Sequence, residues 1–144
     1  MLGRVSRRKP ILILLICLIL ASCSRPKTVP RKELRSDLIS AISLASETEL
    51  FLGQLLEGRA TPLFAQGHLE YLHQEATRAA DALEEAHAGE GMAAQLESCR
   101  TQMAALALLL AGLQNRTEAG DRLSDDRQQA RTIRLILEQV NGQL

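Results

Sequence analysis

Glu49, His68, Tyr71 and Glu75 are the residues in this 144-residue chain whose types and spacing best suit ligand chemistry. Phe64, His68, Tyr71 and Glu75 recur at spacings of four, three and four, so a helix carries them on one flank. Glu49 falls within the apolar stripe of the preceding segment. A hairpin folded around residues 59 and 60 sets Glu49 level with roughly position 70, where it is expected to meet His68 or Tyr71. A buried carboxylate is costly without a hydrogen-bonded partner. The cluster therefore reads as a polar pair that fixes hairpin register, or as a metal- or small-ligand site. Acid/base catalysis is the weakest reading, because no nucleophile or phosphate loop accompanies the histidine and carboxylates.

Other chemistry-bearing spacings point less far. Glu70-x-x-His73 and Glu84-x-x-His87 match the Glu-x-x-His spacing of carboxylate-bridged di-iron bundles. Both lie on one predicted helix, separated by 14 residues or about 21 Å, so they cannot converge. Cys99 and Met103 stand four apart with Met92 on the same face, a soft-ligand spacing. All three also fall on heptad positions, where thiol and thioether pack as apolar groups. The chain has no Walker loop, no Gly-x-Ser-x-Gly, no His-Glu-x-x-His and no dinucleotide fingerprint. No catalytic residue and no metal ligand is assigned, and an enzyme is not expected.

The segment 103–113 (MAALALLLAGL) is apolar almost all round. Ala105, Leu108, Leu109 and Gly112 lie opposite or beside its heptad stripe. A helix apolar on every face is central in its assembly or packed against a partner. These four residues are the candidate interface for an envelope protein partner or a homodimer.

The elements that must carry these residues begin after a targeting segment. Arg4, Arg7, Arg8 and Lys9 precede ten unbroken apolar residues, Ile11 to Leu20. Ten helical residues span about 15 Å, half of a hydrocarbon core of roughly 30 Å, which suits a secretory signal better than a permanent span. Leu20-Ala21-Ser22-Cys23 follows and resembles the lipobox of bacterial lipoproteins. The resemblance implies cleavage between Ser22 and Cys23, acylation of Cys23, and a mature chain anchored in the cell envelope. Ser24, where that family's inner-membrane retention signal places Asp, implies the periplasmic face of an outer membrane where two membranes exist. The covalent lipid on Cys23 is the only prosthetic group implied.

Residues 1–22 are thus read as signal peptide, 23–32 as lipidated cysteine and basic tether, and 33–144 as the folded domain. Pro26 and Pro30 favour extended chain, with a reach of roughly 30 Å over ten residues. From Cys23 to Arg35 there are five basic residues and one acid, which suits contact with anionic lipid headgroups. From Ser36 onward 16 acidic and 8 basic residues leave a charge of −8, hidden within a whole-chain charge of zero. An acidic body, in a chain with only 2% aromatic residues, is not built to bind nucleic acid.

The domain reads as all-α. Helices are predicted over 31–57, 62–88, 92–115 and 121–140. Gly58 suits a C-terminal cap, and Thr61-Pro62 an N-cap with proline at the first helical position. Heptad stripes run through Leu38, Ile42, Ala45, Glu49, Leu52 and Leu56; Ala65, Leu69, Leu72, Ala76, Ala79, Leu83 and Ala86; Met92, Leu96, Cys99, Met103, Leu106, Leu110 and Leu113; and Leu123, Ala130, Ile133, Leu137, Val140 and Leu144. Short connections then give an antiparallel up-down four-helix bundle. The expected function is protein binding or scaffolding at a membrane surface. The alternative is a metal- or small-ligand-binding bundle using Glu49, His68, Tyr71 and Glu75.

Overall fold

Gly58 ends the first helix as its backbone requires. With φ at +64°, a conformation glycine adopts without steric cost, it lets Arg59 N–H reach the Gln54 carbonyl at 2.9 Å. Gly58 N–H meets the Leu55 carbonyl at 3.1 Å, which completes a Schellman cap. Three residues later Thr61 accepts from Phe64 N–H, and Pro62 opens the next helix.

The computed structural model describes residues 27–115 and 122–144. In chain order they form β1 (Lys27–Val29), α1 (Arg31–Leu56), α2 (Pro62–Glu85), β2 (Ala86–Ala88), α3 (Ala93–Gln114) and α4 (Leu123–Gly142). The domain is an all-α helical bundle with one small strand pair. The segment read as a signal peptide, with the expected cleavage residues Ser22 and Cys23, lies outside the described residues.

Antiparallel directions follow from cross-helix pairs. On α1 and α2, Phe51 faces Phe64 while Glu47 faces His68. On α1 and α4, Gly53 faces Arg127 while Glu49 faces Arg134. Packing is uneven around the bundle: α1 packs chiefly on α4 and α2 on α3, and α3 joins α4. The α1–α2 seam is the loosely packed one.

The core follows the heptad stripes on three helices. Met92, Leu96, Cys99, Met103, Leu106, Leu110 and Leu113 are all buried, as are Leu69, Leu72, Ala76 and Leu83. On α4 the stripe is Leu123, Ala130, Ile133, Leu137 and Val140, with Asp126 buried in the gap between the first two. Truncating a fully buried leucine such as Leu72 or Leu106 to alanine typically costs about 2–5 kcal/mol.

On α1 the stripe keeps the expected Leu38, Ala45 and Leu52, but its alternate positions fall one residue earlier than the sequence expectation and Leu56 is exposed. Leu34, Leu38, Ala41, Ala45, Thr48 and Leu52 are buried, whereas Ile42 and Glu49 stand at its edge. Both registers share the four-three rhythm, and burial cost decides between them. Thr48 satisfies its hydroxyl by donating to the Leu44 carbonyl at 2.9 Å, whereas a carboxylate, which only accepts, finds no free backbone donor within the helix at that depth.

Two further corrections concern the ends of the first hairpin. The helix expected to reach Ala88 stops at Glu85, because Ala86–Ala88 pairs in parallel with Lys27–Val29. The carbonyls freed there are taken by Arg100 of α3, which donates to Leu83 at 2.7 Å, to Glu84 at 3.3 Å, and to Ala86. The expected free tether is also shorter than its ten residues. Val29 is buried in the core, and α1 begins at Arg31. Gly89 allows the close approach at this end, since a Cβ there would lie 3.2 Å from the Val29 carbonyl oxygen.

Candidate functional site

The loose α1–α2 seam opens into a groove of about 1290 Å³. Its first wall is a stripe on α1, Glu33, Asp37, Ser40, Leu44 and Glu47, which repeats the core rhythm one residue out of phase. Its second wall on α2 includes Tyr71, Glu75, Ala79, Ala82 and Leu83. Short side chains make the space. Ser40 and Ser43 fold their hydroxyls back onto the Ser36 and Ile39 carbonyls at 3.1 and 2.9 Å, and Ala79 and Ala82 project little.

Each end of the groove is closed by a specific device. At one end β1 and β2 tie the start of α1 to the end of α2, and Val29, Ala86 and His87 line the space. At the other, aromatic rings fill the seam. His68 lies at the centre of these rings, 4.4 Å from Phe51, 5.6 Å from Phe64 and 5.9 Å from Tyr71 between centroids. Its Nε2 lies 3.4 Å from Glu47 Oε1. The rings occupy the seam at one end, and the small residues beyond them leave the space between the two helices unfilled.

The sequence-predicted cluster is divided by this geometry. Tyr71 and Glu75 line the groove, and His68 stands at its aromatic end. Glu75 also accepts from Arg78 at 2.7 Å. Glu49 does not join them. Its partner is Arg134 of α4, whose Nε donates to Glu49 Oε2 at 2.9 Å while Nη1 donates to Glu138 at 2.6 Å. The hydrogen bond with Glu49, then the one with Glu138, raises the guanidinium pKa further above its ordinary range. The pairs Phe51–Phe64 and Glu47–His68 set Glu49 level with roughly position 66, about one turn from the expected 70, and the expected face differs as well. Two helical residues subtend about 200°, so Glu47 turns toward His68 and Glu49 toward α4.

The candidate interface is divided too. Leu108 is 75% exposed, whereas Leu109 is a core residue at 6%, and Ala105 and Gly112 are half-buried. Cys99 and Met103 are fully enclosed, and burial, with the charge of Asp37 second, pushes the Cys99 thiol up to about 12. Glu70 and Glu84 are exposed on α2, and His87 sits on β2. Among the described residues, no group of three or more His, Cys, Asp or Glu side chains is placed to hold a metal ion. None of the described helices is long and apolar enough to cross a membrane.

The groove itself was missed in the sequence, although a signal for it exists. Ile39 is 53% exposed and Tyr71 49%, and both face this space. A second stripe beside the α1 core stripe, matched by alanines on α2, marks a seam with too little side-chain volume to close. Five carboxylates line it (Glu33, Asp37, Glu47, Glu75 and Glu85), and no Lys or Arg among the described residues does. No family model, curated protein or solved structure matches this chain.

Proposed function

We propose that this chain is a small lipid-anchored protein of the bacterial envelope that binds another protein at the membrane surface. The observation that carries the binding half of this reading is the α1–α2 groove, where half-exposed Ile39 and Tyr71 border a space larger than a side chain could fill. Ligand sites favour concave apolar surfaces with a few polar groups at fixed positions. The anchoring half rests on Leu20-Ala21-Ser22-Cys23. Cys23 lies four residues before β1, so an anchor there would sit within about 14 Å of the strand pair at full extension. The groove would then open close to the bilayer.

One experiment addresses both halves in cells of a bacterium that processes lipoproteins. The full chain is expressed with a photo-crosslinking side chain at Ser43 in the groove, or at Gln129 on the exposed face of α4, with Cys23 intact or replaced by alanine. The expected result is discrete protein adducts from Ser43 alone, recovered in the membrane fraction with the mature lipid-modified mass. Cys23→Ala is expected to abolish that mass change. Equal adducts from Ser43 and Gln129, or none from either, overturn the binding half. An unchanged mass in the Cys23 protein overturns the anchoring half.

A further inference from the structure

We infer that the occupant of the α1–α2 groove is a basic amphipathic helix of about four turns, supplied by a partner protein. This deepens the protein-binding reading above and rests on it. Length is the first argument. The α1 wall from Glu33 to Glu47 and the α2 wall from Tyr71 to Glu85 each cover 14 helical steps, or about 21 Å. An extended peptide would also satisfy that length, but its backbone would need a sheet edge along the groove. Both long walls are helices with backbone groups bonded within α1 and α2, and the β1–β2 pair lies only across one end of the groove. A helix brings its own backbone bonds satisfied and offers only side chains, which is what these walls can receive.

Chemistry is the second argument. Ile39, Leu44, Tyr71, Ala79, Ala82 and Leu83 supply apolar surface for a helical stripe. Carboxylates stand on both walls, with Glu33, Asp37 and Glu47 on α1 and Glu75 and Glu85 on α2; Glu47 lies beside His68 and Glu75 beside Arg78, contacts that an incoming Lys or Arg would share. A helix with Lys or Arg on both flanks of its apolar stripe meets opposite charge on each side, as the flanking positions of a coiled coil do. The same five carboxylates repel an anionic bilayer, which disfavours direct lipid contact through this face. They equally disfavour an acidic surface of a second copy, whose body carries −8 from Ser36 onward.

The test uses the full chain in phosphatidylcholine nanodiscs and two fluorescent helical peptides of about fourteen residues. They share one leucine stripe and differ in carrying lysine or glutamate at the flanking positions. Fluorescence anisotropy is expected to show the lysine peptide binding at least about tenfold more tightly, a preference equivalent to a few exposed ion pairs. Glu75→Lys/Glu85→Lys is expected to reduce or invert that preference, and Ile39→Ser to weaken the lysine peptide without unfolding the bundle. Equal affinity of the two peptides overturns the inference, as does a preference that the double substitution leaves unchanged. Self-association lost on Ile39→Ser, or Ile39-dependent binding of the chain to phosphatidylglycerol vesicles, also overturns it in favour of those occupants. Groove-specific adducts in cells together with no charge preference would overturn the helix chemistry alone and leave the binding reading standing.

Discussion

Arg134 on α4 joins Glu49 on α1 at 2.9 Å while holding Glu138, one turn along its own helix, at 2.6 Å. The two contacts look alike in distance and differ in setting. The Glu49 side chain is 16% exposed and Glu138 is 42% exposed. An exposed pair four residues apart contributes a few tenths of a kcal/mol, whereas a sheltered charge-assisted bond between helices contributes more. Glu49→Gln is therefore expected to destabilise by about 1–2 kcal/mol and Glu138→Gln by about 0.3 kcal/mol. Urea unfolding followed by circular dichroism measures both. A double-mutant cycle with Arg134→Gln should return the larger coupling for Glu49.

Arg100 ends α2 from outside. The last carbonyls of a helix have no partner within it, and here one guanidinium on α3 takes those of Leu83 and Glu84 together with that of Ala86, the first residue of β2. Arg100→Ala is expected to cost about 2–3 kcal/mol, because it removes three charge-assisted bonds and leaves the part-buried Leu83 carbonyl with the Ala86 N–H alone. Arg100→Lys should recover only part, since an ammonium lacks the planar fork that reaches several carbonyls together. Amide exchange around residues 84–88 should accelerate before that of α1 or α4.

Three of the four core stripes were legible because their leucines repeat at the heptad spacing with no rival register. Met92 to Leu113 on α3 is the clearest case, and every residue of that stripe is buried. On α1 two registers one residue apart were equally apolar, and the choice turned on whether Thr48 or Glu49 went inside. Helical period alone carries no information on that point. The strand pair was illegible for a different reason. Ala86-His87-Ala88 has no strand propensity of its own, and becomes extended because Arg100 and Lys27–Val29 satisfy its backbone from elsewhere in the chain. The groove follows from what is missing, since alanine and serine pack as readily against nothing as against a neighbour. Only the unequal packing of the four seams exposes it.

Cys99 links stability to alkaline pH. Burial holds its thiol at about 12 in the folded chain, against 9.0 as the ordinary value. Above pH 9 the unfolded chain loses this proton while the folded chain keeps it, so the unfolded state binds fewer protons and stability falls as pH rises. The slope approaches about 1.4 kcal/mol per pH unit between the two values. Cys99→Ala should be less stable at pH 7, by about 1–2 kcal/mol for the lost sulfur contacts, and should lack this slope. Comparing the two proteins from pH 8 to 10 by urea unfolding isolates the thiol from every other group that titrates there. In the folded wild type, iodoacetamide should fail to modify Cys99 until denaturant is added.

Leu108 and Leu109 are sequence neighbours with opposite fates, at 75% and 6% exposure. On a helix one residue turns the side chain by about 100°, enough to carry it from the core seam to the surface. Leu109→Asp places a carboxylate in the buried hydrophobic cluster to which Leu109 belongs, where an unpaired charge is severely destabilising. It is expected to cost at least about 3–4 kcal/mol and to abolish cooperative unfolding where the bundle has no more than that in reserve. Leu108→Asp removes no buried contact and should change stability by no more than about 0.5 kcal/mol. Sedimentation velocity then asks a separate question of the stable variant alone. If α3 presents Leu108 to a second copy, Leu108→Asp shifts the protein to monomer with its thermal unfolding unchanged; if wild type and variant sediment alike, the outer face of α3 is solvated surface. Leu109→Asp cannot serve for that question, because loss of assembly there would follow from loss of fold.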